Sequence, residues 1–252
     1  MRKIFNYFKR FLFFFNYTIE HKNTWYKRQE NYLAEIKKQD LNFLQKISKF
    51  SMCSPANHWA IIQSINHIKS LKLEGDLVEC GVFEGGNIIL YEYLNRKNNL
   101  KKKIYAYDTF EGMTRPGKID KDFKNNSAIK IKKNNSKWCF CHIDNVKKNI
   151  ISCGQSLNNF IFIKGNVLNT LNYKKNLPKK ISLLRLDTDF YNSTIKELNI
   201  LYPRLVKNGV LIIDDYGHWK GSKKAVDKYF NLKKKFRWFQ RIDYASRLYI
   251  KK

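Results

Sequence analysis

The chain has 252 residues, 43% of them apolar, enough to bury one substantial core. Its formal net charge of +28 invites a polyanionic partner. The lysines, however, run through the whole sequence with Asn and Ile, as an AT-biased coding sequence would produce, and no segment collects them into a footprint, so no specific nucleic acid is expected. Five cysteines, odd in number and irregular in spacing, exclude a disulfide framework and fit a reducing, cytoplasmic compartment.

Residues 1–17 are basic and aromatic, and the longest apolar run, Phe11 to Phe15, is far short of the roughly 20 residues a spanning helix needs. No small-residue cleavage site follows, so a secretory signal is not expected. Ile4, Phe8, Phe11 and Phe15 fall at helical spacing, giving an apolar face suited first to packing or homo-oligomer formation and second to peripheral contact with the inner membrane face. Residues 25–50 continue as a charged helical stretch, so residues 1–70 read as a helical N-terminal extension and residues 71–252 as the main domain.

A helix opens at Pro55, carries Trp59, Ile62, Ile65 and Ile68, and ends before Gly75. Residues 76–82 then read as a strand, followed by a glycine turn and a helix over 87–95. Further strands are expected at 103–108, 160–164, 181–187 and 209–214, the last two apolar enough to be central and parallel. Helices are expected at 193–205 and 222–232, and residues 236–244 with 247–251 read as a closing antiparallel hairpin. Residues 112–137, rich in Lys, Asn and Gly and without periodicity, suit either a flap over a site or a solvated insertion. Such alternation specifies an α/β fold, a doubly wound Rossmann-like sheet with ligands at the carboxyl ends of its strands.

Two groups of residues sit at such ends. Gly81, Gly85 and Gly86 would let the backbone approach a ligand at the amino end of a helix. Their spacing is not that of a dinucleotide fingerprint, and Glu79 just before them suits a cationic or hydroxylated ligand better than a pyrophosphate. Asp108 closes the next strand, where a carboxylate can accept both hydroxyls of a ribose. The second group is Asp187 and Asp189 with Asp214 and Asp215. Cys139, Cys141 and His142 lack a second ligand pair at zinc spacing.

The motifs Gly75-Asp-Leu-Val-Glu-Cys-Gly-Val-Phe-Glu-Gly-Gly86, Asp108-Thr-Phe-Glu-Gly112, Lys164-Gly-Asn166, Leu184-Arg-Leu-Asp-Thr-Asp-Phe-Tyr-Asn-Ser-Thr194, Tyr202-Pro-Arg-Leu205, Ile212-Ile-Asp-Asp-Tyr-Gly217 and Lys224-Ala-Val-Asp227 together resemble the macrocin O-methyltransferase (TylF/MycF-like) family. The resemblance runs in order from about residue 75 to 230. It implies a class I S-adenosylmethionine-dependent methyltransferase with a sheet of seven strands, the last pair antiparallel, that methylates a sugar hydroxyl of a glycoside or surface glycan with a divalent cation, usually Mg2+. By the same motifs Glu79, Gly81 and Asp108, with Gly85, Gly165 and Asn166, would contact S-adenosylmethionine, and Asp187, Asp214 and Asp215 would hold the metal. This chain carries Asp187-Thr-Asp189 where the family more often has Asp-Gly-Asp, and Phe83-Glu-Gly-Gly86 where Trp-Arg-Gly-Gly is usual.

The chemistry of the residues agrees. A hydroxyl is a poor nucleophile at neutral pH, and hard oxygen ligands suit a cation that lowers its pKa. Three carboxylates at adjacent strand ends would repel one another unless a cation lay between them. Asp189, just ahead of Ser193 and Thr194, is expected to be a cap rather than a ligand. Asp187 and His218 are the candidate proton acceptors, whereas His58 and His142 read as structural. A catechol-like O-methyltransferase would use the same metal logic. A basic nucleic-acid-binding protein conflicts with so many acids in one cleft.

Overall fold

The computed structural model describes residues 32–252, so the apolar face expected at Ile4, Phe8, Phe11 and Phe15 lies outside the described residues. Helix α1 (Lys38–Ile47) and helix α2 (Pro55–Ser70) lead into the first strand. Ser54 starts α2: its Oγ accepts a hydrogen bond from the Asn57 amide at 3.2 Å, and Pro55 at the first helical position has no N–H to leave unsatisfied. The chain then alternates through β1 (Asp76–Cys80), α3 (Gly86–Lys97), β2 (Ile104–Asp108), α4 (Ala128–Asn134), α5 (Ile143–Ser152), β3 (Phe160–Lys164), the single-turn α6 (Val167–Thr170), β4 (Ile181–Leu186), α7 (Tyr191–Ile200), β5 (Leu205–Ile213), α8 (Lys220–Tyr229), β6 (Gln240–Arg241) and β7 (Arg247–Ile250).

Seven strands form one sheet in the order β3-β2-β1-β4-β5-β7-β6. The first five in that order are parallel, and β7 runs antiparallel to both β5 and β6. The order reverses between β1 and β4, which opens a crevice at their carboxyl ends. Strand residues alternate between faces. Leu77, Leu183 and Ile212 pack with α2 and α3 on one side, while Val78, Leu184 and Leu211 pack with α7 and α8 on the other. Each fully buried Leu or Ile contributes roughly 1.5–3 kcal/mol. Leu44 of α1 and Ile61 and Ile65 of α2 share the first of these clusters, so residues 38–70 belong to the sheet's own core.

Some elements differ from the sequence reading. The helix expected over 193–205 stops at Ile200, because Pro203 cannot continue it; Tyr202–Arg204 form a tight turn and β5 begins at Leu205. The first hairpin arm pairs only at Gln240–Arg241. Residues 112–137 contain α4 and bury Asp120 and Asp122, so they are neither structureless nor simply solvated. Helix α5 has no counterpart in the sequence reading; His142 caps it, its Nδ1 accepting from the Asp144 amide. Among the described residues no helix is long and apolar enough to cross a membrane.

Candidate active site

Both residue groups singled out in the sequence converge on one cavity of about 570 Å³ at the carboxyl ends of β1, β4 and β5, a size suited to a small organic ligand. Glu79, Gly81, Asp108, Asp187, Asp214, Asp215 and His218 all line it.

On the β1 side the turn from Gly81 to Gly85 is held by Asp108. The Val82 and Phe83 amides donate to its Oδ2 at 2.6 and 3.1 Å, and the Phe110 amide donates to its Oδ1 at 2.7 Å. The glycines prove necessary for a reason other than ligand approach. At Gly81 (φ +86°) a Cβ would collide with the Asp187 carbonyl, at Gly85 (φ +94°) it would press on Val146, and at Gly86 it would meet Ser51 and the Phe50 carbonyl. All three let the chain approach itself, Gly81 and Gly85 in a left-handed backbone, and Gly85 lies off the cavity wall. Gly165 and Asn166 border a smaller adjoining pocket, and Asn166 Oδ1 is occupied in capping α6 through the Leu168 amide at 2.9 Å.

On the β4 and β5 side the organising group is Arg185, which the sequence reading passed over. Its guanidinium is fully buried and donates through Nη1 to Glu79 Oε1 (2.7 Å) and Asp187 Oδ2 (2.6 Å), and pairs through Nη2 with Asp214 Oδ1 (2.7 Å). Nη2 also meets Cys53 Sγ at 3.1 Å. The cation expected between the carboxylates is thus partly supplied by the chain itself. The available signal was a charged residue inside the otherwise apolar run Ile181–Leu186, a position that makes sense only if the charge is paired.

One guanidinium cannot balance Glu79, Asp187, Asp189, Asp214 and Asp215. Burial is the largest influence on Asp187 and lifts its carboxyl well above the ordinary range despite Arg185, with Asp214 and Asp189 pushing the same way. Burial also lifts Asp215 well above that range, reinforced by Asp189, Asp187 and Asp214, and pushes Asp189 up to about 7. Asp187, Asp214 and Asp215 can each present an oxygen within 4.8 Å of the others, a hard-donor set at the scale of one cation. Asp189 is not the cap it was expected to be. It sits at φ +66°, its amide donates to Asp215 Oδ2 at 3.0 Å, and α7 is capped by Asp120, whose Oδ1 accepts from the Tyr191 amide at 2.9 Å.

Residues 112–139 roof the cavity. Met113 and Trp138 line it, and Trp138 stacks edgewise with Phe190 and Trp219 at ring distances of 6.0 and 5.9 Å. Asp120 fastens this segment, accepting from the Gly117 amide at 2.6 Å as well as from Tyr191. At the rim His218 Nδ1 lies 2.9 Å from the Tyr244 hydroxyl, with Phe123 against both rings. Burial lowers the His218 pKa from the ordinary imidazole value, so the ring is neutral at pH 7 and able to take a proton.

A model of the macrocin O-methyltransferase (TylF) family matches residues 10–251. The chain belongs to the macrocin O-methyltransferase family. This family member is 25% identical over 214 residues to demethyldecarbamoylnovobiocin O-methyltransferase of Streptomyces niveus, covering 83% of this chain and 78% of that one. It is 30% identical over 151 residues to the 8-demethyl-8-(2,3-dimethoxy-alpha-L-rhamnosyl)-tetracenomycin-C 4'-O-methyltransferase of Streptomyces olivaceus, covering 56% of this chain and 53% of the relative. The solved structure of the O-methyltransferase NovP shares the fold, with a TM-score of 0.71 at 24% identity over 80% of this chain and 82% of that one. The macrocin O-methyltransferase fold and its class of reaction, methylation of a hydroxyl, therefore hold for this chain.

Proposed function

We propose that this chain transfers the methyl group of S-adenosylmethionine to a sugar hydroxyl of a glycoside or glycan, assisted by a divalent cation such as Mg2+. The observation that carries this reading is that the hard-donor set Asp187, Asp214 and Asp215 and the Glu79–Asp108 turn line the same cavity.

The residues fit both groups. Glu79 lines the cavity with its Oε1 held by Arg185 and Asn87, a carboxylate suited to the donor's ammonium group. Asp108 Oδ2 is taken by two amides, and Oδ1, with the Phe110 amide at 2.7 Å, is the oxygen on which a ribose hydroxyl would call. When bound, the donor supplies an electrophilic methyl group and the cation lowers the pKa of the acceptor hydroxyl. Arg185 holds Asp187 and Asp214 in place by one oxygen each and leaves the other oxygen of each free to act as a ligand. With Asp187 so engaged, the neutral His218 ring is the better acceptor for the hydroxyl proton. Trp138, Trp219 and Tyr244 give the cavity flat apolar faces of the kind that sugar C–H groups pack on. The relative from Streptomyces olivaceus carries a rhamnosyl sugar in its substrate's name, which supports the same acceptor class.

Five unpaired cysteines support a cytoplasmic setting. The aromatic, basic N-terminus supports self-association or peripheral contact at the inner membrane face.

Calorimetric titration with S-adenosylmethionine, with and without Mg2+, followed by a panel of glycosides and catechols assayed with and without EDTA, tests the reading. Donor binding and EDTA-sensitive methylation of a glycoside are expected. Absence of donor binding under both conditions, or methylation of catechols alone, would overturn it.

A further inference from the structure

Away from the cavity, the segment joining α8 to β6 reads Lys233-Lys-Lys-Phe-Arg-Trp-Phe239. Phe239 packs into the core against Phe230 and Tyr249, with ring centroids 5.3 and 5.0 Å apart. Arg237 donates to the Tyr249 hydroxyl at 3.1 Å and lies over the Phe230 ring. With Phe239 packed inward and Arg237 tied to Tyr249, Phe236 and Trp238 stand in solvent, 88% and 75% exposed. Two large rings presented side by side by an anchored segment mark a contact surface rather than stray exposure.

The topology decides what surrounds them. Strand β6 is antiparallel to β7, which is antiparallel to β5, so the segment enters β6 at the same end at which the chain enters β2, β4 and β5. Those entry loops carry exposed Lys101, Lys103, Lys179 and Lys180, and Lys207 stands exposed near the start of β5. The carboxylates in the loops entering β1, β2, β4 and β5 are Glu74, paired with Lys180 at 2.6 Å, and Asp76 at the start of β1. A parallel topology returns these entry loops to one side, so their lysines share that end of the sheet with Lys233, Lys234 and Lys235 and the two exposed rings.

We propose that this strand-entry end docks on an anionic lipid bilayer, with Phe236 and Trp238 entering the boundary between headgroups and acyl chains and the lysines facing the lipid phosphates. Aromatic rings beside cations are the side chains that settle at that boundary. A second copy of the chain would bring the same lysines face to face. A single-stranded nucleic acid needs cations along a track, whereas these lie on separate loops across the whole end of the sheet, matching a plane. Docking in this pose turns the cavity, at the opposite strand ends, away from the bilayer and towards acceptors in water.

Flotation of the full chain with phosphatidylcholine vesicles, with and without phosphatidylglycerol, tests this. Binding only to phosphatidylglycerol vesicles, released by salt, is expected, and F236S/W238S and K233Q/K234Q/K235Q should each lower partition by roughly 10-fold or more. Both variants should keep native melting temperature and methyl transfer, since these side chains are exposed and remote from the site. Unchanged partition in both variants would assign membrane contact to residues 1–17 and overturn the proposal. So would absence of vesicle binding, equal binding to pure phosphatidylcholine, or loss of single-stranded RNA binding in F236S/W238S with vesicle partition unchanged.

Discussion

The two ends of the sheet treat charge in opposite ways. At the strand-exit end, Glu79, Asp187 and Asp214 are drawn around the fully buried Arg185, with Asp215 beside them under an aromatic roof, so every charge in that cluster depends on its neighbours. At the strand-entry end, Lys101, Lys179, Lys207 and Lys233 stand in solvent and depend on almost nothing. The difference shows that a residue's sign matters less than its solvation: buried charge is coupled and costly, while exposed charge is available for a partner.

Removing the central cation is the strongest way to break this contrast. Arg185→Met takes the cation from the buried Glu79 and the partly buried Asp187 and Asp214 and should cost about 3–5 kcal/mol, read as a drop in melting temperature of about 10 °C or more. Asp187→Asn keeps the shape but removes a charged ligand. Turnover should fall by roughly 100-fold or more, while donor affinity by calorimetry stays within a few fold; near-native turnover would defeat the cation reading.

A buried acid next to this cluster gives a pH signature. Burial pushes Glu197 up to about 8, with Thr188 Oγ1 donating to its carboxyl at 2.9 Å. Its folded pKa lies above its unfolded value, so its contribution is present below the unfolded value and is lost as pH rises towards 8. Between those limits up to about 5 kcal/mol should drain away. Glu197→Gln should therefore flatten the fall in melting temperature between pH 6 and pH 9; an unchanged slope would mean that Glu197 is ionised in the fold. The smallest effect belongs to the other end: Lys101→Gln with Lys207→Gln should change stability by less than about 0.5 kcal/mol, within the scatter of repeated melts.

The sequence made the exit end legible where its signals were local. The apolar runs of β4 and β5, the acids that follow them and the turn after β1 all stand in short contiguous stretches, and each lies where it was expected. Arg185 was missed because its meaning depends on Glu79, Asp187 and Asp214 from three strand ends, which no single window contains. The capping role given to Asp189 belongs to Asp120, 71 residues from the Tyr191 amide it binds. The glycines were recognised as necessary, but their reason, contact with Asp187, Val146 and Ser51, requires the packed chain.

The position of β7 sets an order in time. It is the last strand of this chain, yet it lies between β5 and β6, and the turn before it reaches back across the molecule. Ser246 Oγ donates to Asp214 Oδ1 at 2.9 Å, Tyr244 meets His218, and Asp243 accepts from Asn57, 186 residues earlier. Contacts of such long sequence separation form late, because the closing loop costs entropy before any contact offsets it. During synthesis the acidic cluster therefore stays incomplete until residues 243–250 leave the ribosome. Until then Asp214 lacks its Ser246 donor and His218 its Tyr244 partner.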